Sequence, residues 1–212
     1  MNPPARAPRL APLEPPYAPD VQEQLARWMP PGATVEPLRL FRTLMLNEAL
    51  AARMRPLGAG ILGAGASVAP RLREVMIDRT CALTGAEYEW GVHAAAFASA
   101  VGLTDEQLAS TACGEPGDGC WEQAEAAVMS LADELHRTAT ISDALWETLA
   151  ELFEPEQMIE LIVTAGWYHV IGYLCNGLGV ELEPWALRFP AADAGPSGGG
   201  DRARDGVPVD GA

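Results

Sequence analysis

Between residues 20 and 189 apolar side chains recur three and four positions apart, and no segment alternates with period two. That periodicity commits the chain to helices, because a strand with one buried face must alternate. Proline and glycine punctuate the pattern. A short helix is predicted from Asp20 to Met29, stopped by Pro30-Pro31. A second is predicted from Pro37 to Arg55, with Leu38, Phe41, Met45 and Leu46 on its stripe and Pro56 ending it. The glycine-rich stretch from Gly58 to Ala66 is weakly determined. Pro70 to Thr84 opens with a proline suited to a first turn and meets Gly85, a residue suited to a left-handed cap. Helices follow at Ala86 to Val101, at Thr104 to Ala112 behind a Thr-x-x-Gln capping box, and at Trp121 to Arg137. Two more are predicted behind Ser142 and from Pro155 to about Asn176. Several helices joined by short links imply an all-α helical bundle.

The flanks differ in composition. Residues 1–19 hold seven prolines and are expected to lie as an extended arm; residues 190–212 have almost no large apolar side chains and read as a disordered tail. A single domain over 20–189 is left between them. The formal net charge of −15 argues against nucleic acid and against anionic membrane as partners. Met158 to Val180 is apolar but carries Glu160, Tyr168, His169 and Asn176, as a core helix does more readily than a bilayer helix. The N-terminus offers no apolar signal segment, so a cytoplasmic location is expected.

The four cysteines, Cys81, Cys113, Cys120 and Cys175, form no C-x-x-C and suggest neither a disulfide framework nor a zinc site. Cys113 and Cys120 flank a glycine loop that a bridge can span, but free thiols are expected in a reducing compartment.

The densest group of chemically able residues is Thr84-Gly85-Ala86-Glu87-Tyr88-Glu89-Trp90-Gly91-Val92-His93. Glu89 and His93, four apart, share a helix face. If the helices on either side of Gly85 fold back on each other, Glu74 and His93 both lie roughly 12–17 Å from the turn, so Glu74 can join them. Two carboxylates crowded in an apolar pocket cannot both ionise easily, and a neighbouring histidine can then exchange protons near neutral pH. Spacing alone favours the plainer reading, an i,i+4 pair on a wet surface.

The run Arg73-Glu74-Val75-Met76 with Leu83-Thr84-Gly85-Ala86-Glu87-Tyr88-Glu89-Trp90 and His93 resembles the signature of the carboxymuconolactone decarboxylase family. That family belongs with the alkylhydroperoxidase D-like proteins. Gly102-Leu103-Thr104, Ala132-Asp133-Glu134-Leu135-His136 and Asn176-Gly177-Leu178-Gly179-Val180 are similar to later parts of the same family, so the resemblance spans roughly residues 35–183. It implies a compact helical fold assembling as homo-oligomers, trimers or hexamers, with Glu74, Glu89 and His93 as catalytic residues. Where the peroxidase branch carries C-x-x-C, this chain has Ala86 and Glu89, which cannot form the thiolate and resolving thiol of that mechanism.

The expectation is therefore acid–base chemistry on a small organic acid or lactone (decarboxylation, ring opening or isomerisation), with no cofactor and no metal. Tyr88, Trp90, Cys81 and His169 are candidates to line the substrate pocket. The alternatives are a non-enzymatic helical oligomer that binds a small molecule or partner, its trio a structural network, and a thiol peroxidase built on Cys81.

Overall fold

The computed structural model describes residues 7–30, 32–33 and 35–191, and among these every regular element is a helix. Residues 1–6, Pro31, Thr34 and 192–212, which include part of the expected arm, half of the proline stop and most of the expected tail, lie outside the described residues. The helices are α1 (Pro19–Trp28), α2 (Arg39–Leu44), α3 (Glu48–Leu62), α4 (Pro70–Leu83), α5 (Glu87–Ala96), α6 (Asp105–Cys113), α7 (Gln123–Thr138), α8 (Asp143–Leu152) and α9 (Pro155–Leu178).

Helix α4 is the axis of the molecule. Arg73 through Cys81 are buried without a break, and α5, α6, α7 and α9 pack around them. A helix buried on all sides has no polar stripe to spare, so its charged residues must find partners inside. Arg79 donates to both carboxylate oxygens of Asp133 on α7, at 2.6 and 3.0 Å, and to the backbone carbonyls of Thr111 and Gly114 at the end of α6. Arg71 bonds Glu125 and Gln107 and the carbonyls of Val101 and Gly102. Around these pairs lie Met76, Ile77, Met129, Leu131, Leu149 and Leu161, each of which contributes about 1.5–3 kcal/mol when fully buried.

Three boundaries differ from the sequence expectation. The helix expected over Pro37 to Arg55 is two helices joined by a 3-10 turn, Met45–Asn47, because the Asn47 side chain accepts the Leu50 N–H and starts α3 afresh. Pro56 therefore lies inside α3, on an exposed face together with Ala52, whose carbonyl it leaves unbonded to the helix. Helix α5 ends at Ala96, not at Val101: the chain turns from Phe97 to the left-handed Gly102 (φ 71°), which lets the Leu103 N–H bond back to the Ala98 carbonyl at 2.9 Å.

Residues 7–18 form no helix and run along the surface, where Arg9 binds the carbonyls of Leu178 and Gly177 at the end of α9. Beyond α9 the chain returns over α5: Leu187 N–H bonds the Gly91 carbonyl at 3.1 Å, and the Phe189 ring stands 5.2 Å from Trp90. One helix among the described residues, α9, is long and apolar enough to cross a membrane; 44% of its apolar window is buried in the bundle.

Candidate active site

Pro70 at the first turn of α4 and the left-handed Gly85 (φ 65°) set a helical hairpin with α5. The hairpin brings Glu74 and His93 together: His93 Nδ1 lies 2.8 Å from Glu74 Oε2. The other ring nitrogen, Nε2, lies 3.1 Å from the Tyr168 hydroxyl of α9 and 3.5 Å from Glu89 Oε1. The Tyr168 ring meets the imidazole edge-on at 5.1 Å, and Phe97 lies against it at the same separation. None of the three sequence-derived residues is on a wet surface. Glu74 is 2%, His93 3% and Glu89 7% exposed, which removes the reading of a solvated ion pair.

Burial by itself lowers the basicity of an imidazole. Here the charge and hydrogen bond of Glu74, joined by Glu89, overcome it and raise His93 to about 10. The ring is then an imidazolium near neutral pH, donating from Nδ1 to Glu74 and from Nε2 to the Tyr168 oxygen. Glu74 fixes the orientation of the ring, and Nε2 is the nitrogen that faces the remaining polar groups.

Two further residues belong to the cluster and have no counterpart in the spacing argument. Asp78, one turn beyond Glu74 on α4, is 1% exposed, and neither of its carboxylate oxygens has a hydrogen-bond partner among the described residues. Burial first, then the Glu74 charge, hold its carboxyl well above the ordinary range against the pull of His93. Arg73 donates from Nη1 to the Ile61 carbonyl of α3, while its Nε, 3.9 Å from Glu74 Oε1, has no such partner. Glu89 Oε2 is also unpartnered. Tyr168 is kept protonated by burial and by the charges of Glu89 and Glu74. The i,i+4 relation of Glu74 and Asp78 was the available signal for Asp78; Tyr168, on a helix 75 residues from His93, gave none.

Of the four residues expected to line a pocket, Cys81 alone sits beside the cluster, where burial and the charge of Glu89 push its thiol well above the usual value. Tyr88 donates to Glu183 at 2.7 Å and accepts from the Leu40 N–H. Trp90 donates to Thr111 Oγ1 at 3.0 Å. His169 pairs with His136 at 3.0 Å on the flank of α9. Two open hollows of about 250 and 360 Å³ lie between α1 and α3 and beside Tyr17 and Met29, and neither is lined by His93, Glu74 or Glu89. Among the described residues no group of three or more His, Cys, Asp or Glu side chains is arranged to hold a metal ion. All four cysteines are free, Cys113 and Cys120 included.

No protein-family profile and no curated protein matches the sequence. Solved structures do. An uncharacterized peroxidase-related protein from Silicibacter sp. TM1040 superimposes with TM-score 0.73 at 12% identity, over 90% of this chain and all of that one. The debrominase Bmp8 gives 0.67 at 15%, over 82% and 92%. Its cysteine-to-alanine variant in complex with 2,3,4-tribromopyrrole gives 0.66 at 16%, over 87% and 94%. A protein of unknown function from Agrobacterium tumefaciens, provisionally described as the antioxidant defence protein AhpD, gives 0.60 at 14%, over 66% and 94%. Identities this low speak for the backbone alone, and the backbone of this chain is the alkylhydroperoxidase D-like fold.

Proposed function

We propose that the chain is an acid–base enzyme of the carboxymuconolactone decarboxylase type, acting on a small organic acid or lactone. The observation that carries this reading is the asymmetry about His93: Nδ1 is committed to Glu74 at 2.8 Å, while Nε2 faces Glu89 and Tyr168. Glu74 orients the ring and supports its charge. Glu89 is the base, with Oε2 free to take a proton from a carbon next to a carbonyl. The Nε2–H of His93, backed by the Tyr168 hydroxyl, donates to the enolate oxygen that develops and returns a proton to the product. Arg73, whose Nε lies 3.9 Å from Glu74 Oε1 without a hydrogen bond, supplies a cation for a substrate carboxylate.

A purely structural network pairs its buried polar atoms. Asp78 Oδ1, Asp78 Oδ2 and Glu89 Oε2 are unpaired among the described residues, which favours a working site over a scaffold. The deep burial of the trio favours the other reading, a helical oligomer whose polar cluster only fixes the packing, and it requires an enzyme of this design to open for substrate. Thiol peroxidase chemistry has little support, since burial holds Cys81 and Cys175 in the protonated form.

A panel of lactones and β-keto acids, assayed with wild type and His93→Ala, tests the proposal. Loss of a properly placed general acid lowers turnover by about 10²–10⁴-fold. Equal rates for the two proteins remove His93 from the chemistry.

A further inference from the structure

One residue beyond Tyr168, on the half-buried flank of α9, His169 meets His136 of α7. The ring centroids stand 5.3 Å apart with 30° between their planes, and the rings meet at their edges, His136 Nδ1 lying 3.0 Å from His169 Nε2. Hydrogen bonding fixes both tautomers. His169 Nδ1 lies 2.8 Å from the Ala165 carbonyl, which only accepts, so this nitrogen carries a hydrogen and Nε2 of the neutral ring is a bare lone pair. His136 therefore donates its Nδ1–H to that lone pair.

We propose that His136 and His169 form a two-histidine binding site for a late first-row transition metal ion, with zinc as the reference ion. Imidazole nitrogen is a favoured ligand for such ions. In a tetrahedral zinc site with bonds of about 2.0 Å, ligand nitrogens stand roughly 3.3 Å apart, so the pair opens by about 0.3 Å and each ring turns by roughly 35° to aim its lone pair at an ion beside the N···N line. Zinc replaces the hydrogen bond between the rings. The Nδ1 proton of His136 moves to its exposed Nε2 by way of solvent, both rings stay neutral, and nothing is oxidised or reduced. The Nδ1–H of His169, held by a backbone carbonyl, is in the arrangement that orients a ligating imidazole.

The ligands also come preorganised. They project from two long helices that pack on one core, and the molecule's charge of −15 draws cations to its surface. The nearby carboxylates are engaged elsewhere: Asp133 holds Arg79 with both oxygens, and Glu134 holds the Ser142 N–H and hydroxyl. Water completes the coordination, since His136 is exposed.

The chain has three histidines, which makes the test direct. Zinc chloride is titrated into the full chain while the imidazole resonances are followed by long-range proton–nitrogen NMR. The rings of His136 and His169 should shift together and saturate at one zinc per chain, with His93 unmoved. Calorimetry of His136→Ala and His169→Ala should give affinities at least about tenfold weaker than wild type, and zinc should raise the melting temperature of wild type alone. Absence of zinc binding, or undiminished binding in the double variant, overturns the assignment. Neither substitution touches the acid–base cluster, so this result is separable from the fate of the proposed activity.

Discussion

Asp78 and His93 put opposite kinds of group into the same buried space, and both make stability fall as pH rises. His93 is raised from 6.5 to about 10 in the folded chain, so the stabilisation from its pairing is complete below 6.5 and is lost as pH climbs through about 10. Replacing Glu74 by Gln leaves that charge buried without its partner. A loss of about 3–5 kcal/mol is expected, with a flatter decline between pH 6.5 and 10 in urea titrations. Asp78 behaves differently because its raised carboxyl is a liability once the unfolded chain can ionise. Asp78→Asn should be more stable than wild type near neutral pH, and the two should converge as pH falls towards 3.8. A stabilising substitution at a buried position is what a site that sacrifices stability for chemistry produces. Its failure to appear in denaturant midpoints removes Asp78 from the strained part of the cluster.

The same substitution has opposite signs in two helices, and tertiary contact decides which. Gly60, in the second half of α3, has nothing within 4 Å of where a Cβ would go. Gly60→Ala should therefore stabilise the chain by about 0.5–1 kcal/mol through helix propensity. In Gly91 of α5 the added Cβ would come within 2.1 Å of the Leu187 carbonyl oxygen. Gly91→Ala should cost about 1–3 kcal/mol, as overpacking does, and loosen the segment that crosses α5. Faster exchange of the Leu187 amide, bonded to the Gly91 carbonyl in the native chain, reports that loosening.

At the scale of the molecule, the outer side of α9 is conspicuous. Ile159, Ile162, Val163, Val170 and Tyr173 form an exposed stripe at helical spacing, with Ile159 65% and Tyr173 66% exposed. Contiguous apolar surface on a charged protein marks an interaction face. A second copy of this chain is the proposed occupant, since the stripe runs along one face of the 24-residue α9. In light scattering Ile162→Glu should be a monomer where wild type is a larger species, with the helical circular dichroism unaltered. A wild type that is itself monomeric at the same concentration contradicts the proposal.

Helix type, order and most of the boundaries were legible in the sequence, because periodicity, proline and capping residues act within a few positions of one another. The Thr104–Gln107 box forms with both of its bonds, and Ser142 accepts from Leu145 N–H. The pairing of Glu74 with His93 was legible too, since one tight turn sets the register of two adjacent helices. What depended on distant segments was not. Tyr168 reaches His93 from α9, Arg71 of α4 holds the Val101 and Gly102 carbonyls beyond α5, and Tyr88 and Trp90 turn to Glu183 and Thr111. Local chemistry determines where a helix starts and which face it offers; only the packing of α4 against four other helices decides which buried side chains find partners and which, like Asp78, are left without one among the described residues.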